Sequence, residues 1–402
     1  MSGSETIADE SRWSRRLTPA FFAVVMIAAG VGDAMADGNF SQAPGFAAYF
    51  SAHARTARAA GARERRLLAR YRPRFMLPAG HPGMIDFYRD YIAHGELRDG
   101  RGKRLASPVS ARLLNAYKQD PRAVFSYRPG AEPSAGAVVY GRIERANVDF
   151  STPAGPVRKR LAFLTYHAVF ATSGLPASVT GWRARLLGLI ADLNDWHQLD
   201  HYTAATVVLD PEERPIALVL QQHNYQHSYL FGERIRLPAD GRVPIDVAIR
   251  SNELYPWRPG RSRRRAVRFA DRDGMRYLLG YGARPLASAD DLTHGIREAP
   301  YRLEFLAPDD AFYSFQGYLG ARRWLPGRDG PPGADYNTLP ALKPWPVQAF
   351  VGYWRAGNAG DRARFESALK GGGYPAFARA QAAVFYANWQ CLRRARRGCR
   401  LR

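Results

Sequence analysis

Two successive apolar runs, each bordered by a polar cluster, constrain the fold of this chain most. The run at 204–209 follows directly on a polar stretch that holds Asp195, His197, Asp200 and His201. The second run, 215–220, ends in another polar stretch at 221–227. Short apolar runs bounded by turn residues are typical of buried strands. The pattern predicts neighbouring strands of one sheet, with a functional site where the polar clusters meet at its rim.

The rest of the sequence predicts a mainly β protein with helices at both ends. Alternating or β-branched segments predict further strands, and the prolines in 71–78 favour an edge strand there because proline cannot serve an inner ladder. Helical spacing of apolar residues recurs before residue 70 and after residue 339. We therefore expect an N-terminal helical segment at 37–70, an antiparallel β-sandwich domain at 71–335 and a C-terminal helical extension at 336–402.

The first 36 residues have the pattern of an export signal. Arg12, Arg15 and Arg16 precede an apolar centre at 21–29, and Ala34-Met35-Ala36 fits a small-residue cleavage site. The apolar centre is short for a membrane span. We expect cleavage before Asp37, a periplasmic or secreted mature chain and no transmembrane span afterwards; an uncleaved anchor is the alternative.

The two cysteines, Cys391 and Cys399, are the whole cysteine complement of the sequence. In an oxidising compartment, close spacing of this kind predicts a local disulfide that closes a small loop. Two thiols alone cannot complete a closed zinc site, which needs four ligands.

The formal net charge of +22 indicates an anionic partner. For an exported protein we expect anionic lipid, lipopolysaccharide or acidic glycan before nucleic acid. A run at 258–268 holds six arginines in eleven positions, whose guanidinium groups can bind phosphate or sulfate bidentately. The candidate binding residues are Tyr202, Trp257, Arg261, Arg263, Arg264 and Arg265. The alternatives are a solvated arginine loop, and a surface composition that reflects genome content and solubility.

Histidines and acids at the predicted strand ends form a candidate metal site. His197, Asp200 and His223, with His167 from a third strand, would combine imidazole and carboxylate ligands that suit zinc, manganese or iron. Such a divalent ion is the one cofactor that the sequence suggests. The alternative is a set of half-buried polar groups that tie loops together by hydrogen bonds.

Catalysis without a metal would use a histidine base oriented by an acid. The candidate catalytic residues are His197, Asp200 and His201. No nucleophile elbow, phosphate-binding glycine loop, zincin helix motif or dinucleotide fingerprint is present in the sequence. These absences leave the classical hydrolase families without support.

Several segments, in order, resemble the family named for vacuolar protein sorting protein 62, which is related to the necrosis-inducing phytotoxin superfamily. The similar segments extend from residue 71 to residue 333. They are Tyr71-Arg72-Pro73, the aromatic strand from Leu164 to Phe170, the stretch from His197 to Tyr202, Gln221-Gln222-His223, Arg250 to Pro256, Gly317 to Gly320 and Gly330-Pro331-Pro332-Gly333. This chain has His201, Tyr202 and Asn252 where the family has Trp, Glu and His.

The resemblance implies a β-sandwich core and, from the phytotoxin branch, a divalent cation held by the acid cluster. With the export signal and the charge, it leads us to expect a cell-envelope protein that binds anionic surfaces or glycans through a His/Asp rim and a basic loop. The rival hypothesis is a hydrolase, metal-assisted or not, that uses the His197, Asp200 and His223 cluster. Membrane damage of the phytotoxin kind is a third idea, which rests on analogy alone.

Overall fold

The computed structural model describes residues 59–120, 122–127, 136–152, 155–174, 199–201, 203–222, 225–232, 235–257 and 297–320. Most of the regular structure in these ranges is β. The strands are β1 (Arg74–Leu77), β2 (Gly95–Arg98), β3 (Arg104–Ala106), β4 (Val124–Tyr127), β5 (Val138–Thr152), β6 (Gly155–Ala168), β7 (Ala204–Leu209), β8 (Pro215–Gln222), β9 (Tyr225–Leu230), β10 (Pro244–Val247), β11 (Leu254–Pro256), β12 (Arg297–Glu298), β13 (Arg302–Glu304) and β14 (Tyr318–Gly320). The helices are α1 (Ala62–Arg70), α2 (Ala111–Ala116) and α3 (Ala311–Ser314), with a π-helix at Phe87–Tyr91 and a 3-10 turn at Ile92–His94.

The largest sheet has six strands in the order β13-β5-β6-β7-β8-β9. Strands β5 to β9 form successive antiparallel pairs, whereas β13 joins β5 in parallel. The β5–β6 hairpin is long, with a register that runs from Val139 paired with Ala168 to Thr152 paired with Gly155. Strand β7 consists of six buried residues, which explains why its sequence is continuously apolar rather than alternating.

Two four-stranded sheets complete the described β structure. The first, here called the β1 sheet, has the order β11-β10-β1-β12, and the second, the β4 sheet, has the order β14-β4-β2-β3. Each contains one parallel pair, β1 with β10 and β14 with β4. All three sheets are therefore mixed, so the prediction of a purely antiparallel core is wrong while the prediction of a mainly β protein is confirmed.

The two faces of the six-stranded sheet contribute to separate cores. Leu164, Tyr166 and Val207 pack in one cluster with Phe75 and Ile245 of the β1 sheet, and this cluster also holds Leu67 and Leu68 of α1. Alternate residues face the other way because side chains change face at each position along a strand. On that side, Tyr140 packs with the π-helix, the β4 sheet and α3 in a second cluster rich in aromatic rings.

Several local predictions can be compared with these elements. Strand β7 has the predicted bounds, and β8 begins at the predicted Pro215. The edge position predicted for 71–78 is wrong, because β1 lies between β10 and β12 and its flanking Pro73 and Pro78 fall outside the strand. Strands β2, β3 and β4 and helix α2 lie in a part of the chain, 95–127, for which the sequence patterns predicted no strand or helix.

Other predictions lie outside the described residues. These are the export signal, the segment before residue 59, the arginine run at 258–268, the C-terminal helical extension and the Cys391–Cys399 disulfide. Among the residues that the structure describes, no helix is both long and apolar enough to cross a membrane.

Candidate functional site

The strand register brings the end of β6, the start of β7 and the end of β8 together at one edge of the six-stranded sheet. His167, near the end of β6, pairs with Ala204 at the start of β7, and Ala205 pairs with Leu220 near the end of β8. The backbone groups of Asp200 and Phe170 exchange hydrogen bonds of 2.8 and 3.0 Å, which extends the β6–β7 pairing beyond the strands. The edge expected to carry the site is therefore present in the backbone.

Three predicted site residues within the described ranges, His167, Asp200 and His201, are buried rather than open at a rim. His167 and His201 are each 0% exposed, and Asp200 is 2% exposed. Trp257, from the candidate binding set, is half-buried just after β11. The remaining candidates, His197, Tyr202, His223, Arg261, Arg263, Arg264 and Arg265, lie outside the described residues.

Asp200 belongs to a buried hydrogen-bonded group, here called the amide clamp, that consists of His81, Asn252, Asp200 and Thr203. The Asn252 amide Nδ2 donates to Asp200 Oδ2 and to the Thr172 carbonyl, both at 2.9 Å. Thr203 Oγ1 donates to Asp200 Oδ1 at 2.7 Å. All four members of the clamp are at most 5% exposed.

The clamp fixes the proton positions on His81. The backbone N–H of Gly83 donates to His81 Nδ1 at 2.9 Å, so the proton is on Nε2, which lies 3.2 Å from Asn252 Oδ1. The His81 ring also meets the edge of the Phe170 ring, with centroids 5.4 Å apart. Burial lowers the pKa of His81 from 6.5 to about 4, against the opposing effect of its bond to Asn252. The neutral tautomer is therefore the form present near neutral pH.

The backbone of the β10–β11 loop is shaped to present Asn252. The φ angle of Asn252, +58°, is in the left-handed region, which asparagine tolerates better than most other residues with a side chain. The N–H of Ala248 donates to the Glu253 carbonyl at 2.9 Å and closes the loop around it. The clamp thus joins the β1 sheet to the β6–β7 edge, through groups that are already hydrogen-bonded to each other. The Asn252 amide links His81 to Asp200, with its Oδ1 on His81 and its Nδ2 on Asp200.

His167 has a different environment, on the opposite face of β6. Its ring meets Phe312 and Tyr313 edge-on, with centroids 5.9 and 5.6 Å away, and neither ring nitrogen has a hydrogen-bond partner among the described residues. Burial, with the nearby charges of Arg142 and His201, holds the pKa of His167 well below its usual value. Within the described ranges, no group of three or more His, Cys, Asp or Glu residues is arranged to hold a metal ion. The predicted set of His167, Asp200, His197 and His223 includes two residues outside those ranges.

The surface offers a second kind of site, an open groove of about 620 Å³ beside α1. Its lining is Ala69, Arg72, Gly136, Ala137, Pro300, Tyr301, Arg302, Leu303 and Phe305. Arg302 donates to Glu304 Oε1 at 2.7 Å and to the buried Asp86 Oδ2 at 3.2 Å, so its charge is balanced. Arg72 has no ion-pair partner among the described residues, and its positive charge acts on the nearby Tyr301 hydroxyl.

Helix α1 adds positive charge next to this groove. Arg63, Arg65, Arg66 and Arg70 are exposed, whereas its one acid, Glu64, is buried and caps the first turn by accepting from the Gly61 N–H at 2.9 Å. The Arg65 guanidinium lies over the Phe305 ring, 5.4 Å from its centroid. Only Arg63 of the four forms a described ion pair, with Glu213 at 3.0 Å. The outer face of α1 is consequently a basic surface.

Sequence reasoning missed both His81 and the groove. His81 lies in a Pro/Gly loop with no motif around it, and its partner Asn252 is 171 residues away. The groove joins segments near residues 69, 137 and 303, which carry no shared pattern. No family model, curated protein sequence or solved structure matches this chain.

Proposed function

We propose that this protein is a binding protein that engages an anionic component of the cell envelope through an arginine-rich surface. The observation that carries the proposal is the outer face of α1, where four exposed arginines face solvent and the only acid of the helix is buried. A surface of this kind attracts anions over a distance and binds phosphate, sulfate or carboxylate groups through paired N–H donors.

The chemistry of the described histidines and acids gives more support to binding than to hydrolysis. Asp200 already accepts from Thr203 and Asn252, and the Nδ1 lone pair of His81 already accepts from Gly83. A general base needs a free acceptor within reach of its substrate. The hydrolase alternative would depend on His197 and His223 and gains nothing from the amide clamp.

The wider setting follows from the sequence. We infer a β-sandwich in which the β1 sheet packs on the six-stranded sheet, with helical segments before and after it, in an exported chain that resembles the vacuolar protein sorting protein 62 family. In this proposal Arg261, Arg263, Arg264 and Arg265 add to the charge supplied by α1, and Trp257 and Tyr202 are uncharged binding residues. The net charge of +22 supports an anionic partner.

The experiment is retention on immobilised lipopolysaccharide and on an immobilised sulfated glycan. We expect retention at about 0.1 M salt and elution well before about 1 M salt, because counter-ions screen exposed charges. The double variant R66Q/R70Q should elute earlier than the wild type. Its control, R98Q/R214Q, removes the same charge from arginines that are already paired with Glu96, Asp210 and Glu212. Equal elution of both variants would contradict a role for α1.

A further inference from the structure

We propose that the groove beside α1 binds a single-chain lipid with one anionic head group. This inference rests on the proposed function and names the ligand class that one part of the basic surface accepts. In this arrangement the head group lies at Arg72 and the acyl chain lies along Leu303 and Phe305. The volume of about 620 Å³ is within the range of small-molecule sites.

The charges around the groove place the head group at Arg72. Arg302 is already paired with Glu304 and Asp86, while Arg72 has no ion-pair partner among the described residues. An anion at Arg72 would therefore meet a guanidinium group that no described carboxylate neutralises.

The rest of the lining favours an acyl chain over a sugar. Ala69, Ala137, Pro300, Leu303 and Phe305 offer carbon surface. The Tyr301 hydroxyl, which could otherwise bond a sugar, donates to the Pro73 carbonyl at 2.6 Å. Glycan recognition needs several polar groups directed at the ligand, whereas a hydrocarbon chain gains from the removal of apolar surface from water.

The floor of the groove is held in place before any ligand arrives. The backbone N–H of Arg302 donates to the Ala137 carbonyl at 2.9 Å, which continues the β13–β5 pairing. The Tyr301 ring packs edge-on against the buried Phe75, with centroids 5.7 Å apart. Arg302 is anchored on Asp86, which is 2% exposed. A fixed floor lowers the entropic cost of binding.

The test is calorimetric titration of the full chain with monomeric decanoate and decyl phosphate, with decanol and acetate as probes of the chain and the head group alone. We expect saturable 1:1 binding of the two anionic lipids and much weaker binding of decanol and acetate. The variant R72Q should weaken decanoate binding at least about tenfold, as the loss of a hydrogen bond to a charged group does.

Two further variants separate an effect on binding within the groove from an effect of the overall positive charge. A69W places a large ring in the groove from an exposed helix position and should also abolish binding, whereas R112Q removes an exposed arginine from α2 and should leave it unchanged. Absent decanoate binding, equal affinity for decanol, or equal effects of R72Q and R112Q would overturn the inference. If lipopolysaccharide retention persists in that case, the groove assignment alone fails; if retention is also absent, the proposed function fails with it.

Discussion

The Nε2 of His81 lies 3.2 Å from the Oδ1 of Asn252, and this contact sets the orientation of both side chains. Because His81 Nδ1 accepts from Gly83, the imidazole must donate to the amide oxygen, which turns the amide nitrogen towards Asp200 and Thr172. The clamp thus has a single consistent pattern of donors and acceptors. It stabilises the loop after β1 against the β6–β7 edge.

Removal of the Asn252 side chain should destabilise the protein strongly. N252G keeps the left-handed backbone conformation but loses the bonds to His81, Asp200 and Thr172, so we expect a loss of about 2–4 kcal/mol in the free energy of unfolding. N252D keeps the shape but directs a second carboxylate at Asp200, and it should cost at least as much. Urea denaturation measures both; a loss below about 0.5 kcal/mol for N252G would show that the clamp is not stabilising.

The burial of His81 should make stability depend on pH. Its folded-state pKa of about 4 lies below its ordinary value of 6.5, so the unfolded state binds more protons between these two values. The free energy of unfolding should therefore decrease as the pH falls from 6.5 to 4, by roughly 3 kcal/mol from this group. H81Q should show a shallower decrease over the same window. An identical slope in H81Q and the wild type would mean that His81 does not titrate in this way.

His167 should tolerate replacement by an apolar residue. Its ring nitrogens have no hydrogen-bond partner among the described residues, and its neighbours Phe312 and Tyr313 are aromatic. Replacing an unsatisfied polar group with an apolar one of similar size is close to neutral or stabilising, so H167L should change the free energy of unfolding by less than about 1 kcal/mol. Thermal denaturation at neutral pH checks this. A large loss of stability would instead favour a ligand bound at these nitrogens, as the predicted metal site requires.

Gly317 should be intolerant of a side chain, since its backbone closely approaches Ala123, the residue before β4. A Cβ at this position would lie 2.2 Å from the Ala123 carbonyl oxygen, which accepts a hydrogen bond from the Tyr318 N–H. G317A should therefore cost about 1–3 kcal/mol through a forced backbone shift. The matched control is G136A, where a Cβ meets nothing within 4 Å. Equal stability of the two variants would contradict this packing.

Local sequence patterns predicted the central strands well and the short strand β2 not at all, for a physical reason. Strand β7 is an unbroken buried run, so its composition alone indicates a strand. Strand β2, Gly-Glu-Leu-Arg, has too few apolar residues to show alternation, and Gly95 is there because a Cβ would meet the Phe125 ring at 2.3 Å. Contacts of that kind depend on residues far apart in sequence.

The same limit applies to the polar residues. Asp200 and His201 were recognised by their clustering, but clustering does not indicate whether a side chain is open or sealed. The partners that decide this for Asp200 are Asn252 and Thr203, and Asn252 is 52 residues away.

The central claim is that the basic surface binds anionic envelope components, and sedimentation with lipid vesicles tests it most directly. The purified protein is mixed with vesicles of phosphatidylcholine alone or with phosphatidylglycerol, at about 0.1 M and about 1 M salt. We predict that the protein sediments with the phosphatidylglycerol vesicles at low salt and is released at high salt. Equal sedimentation with both vesicle types, or none with either, would contradict the claim.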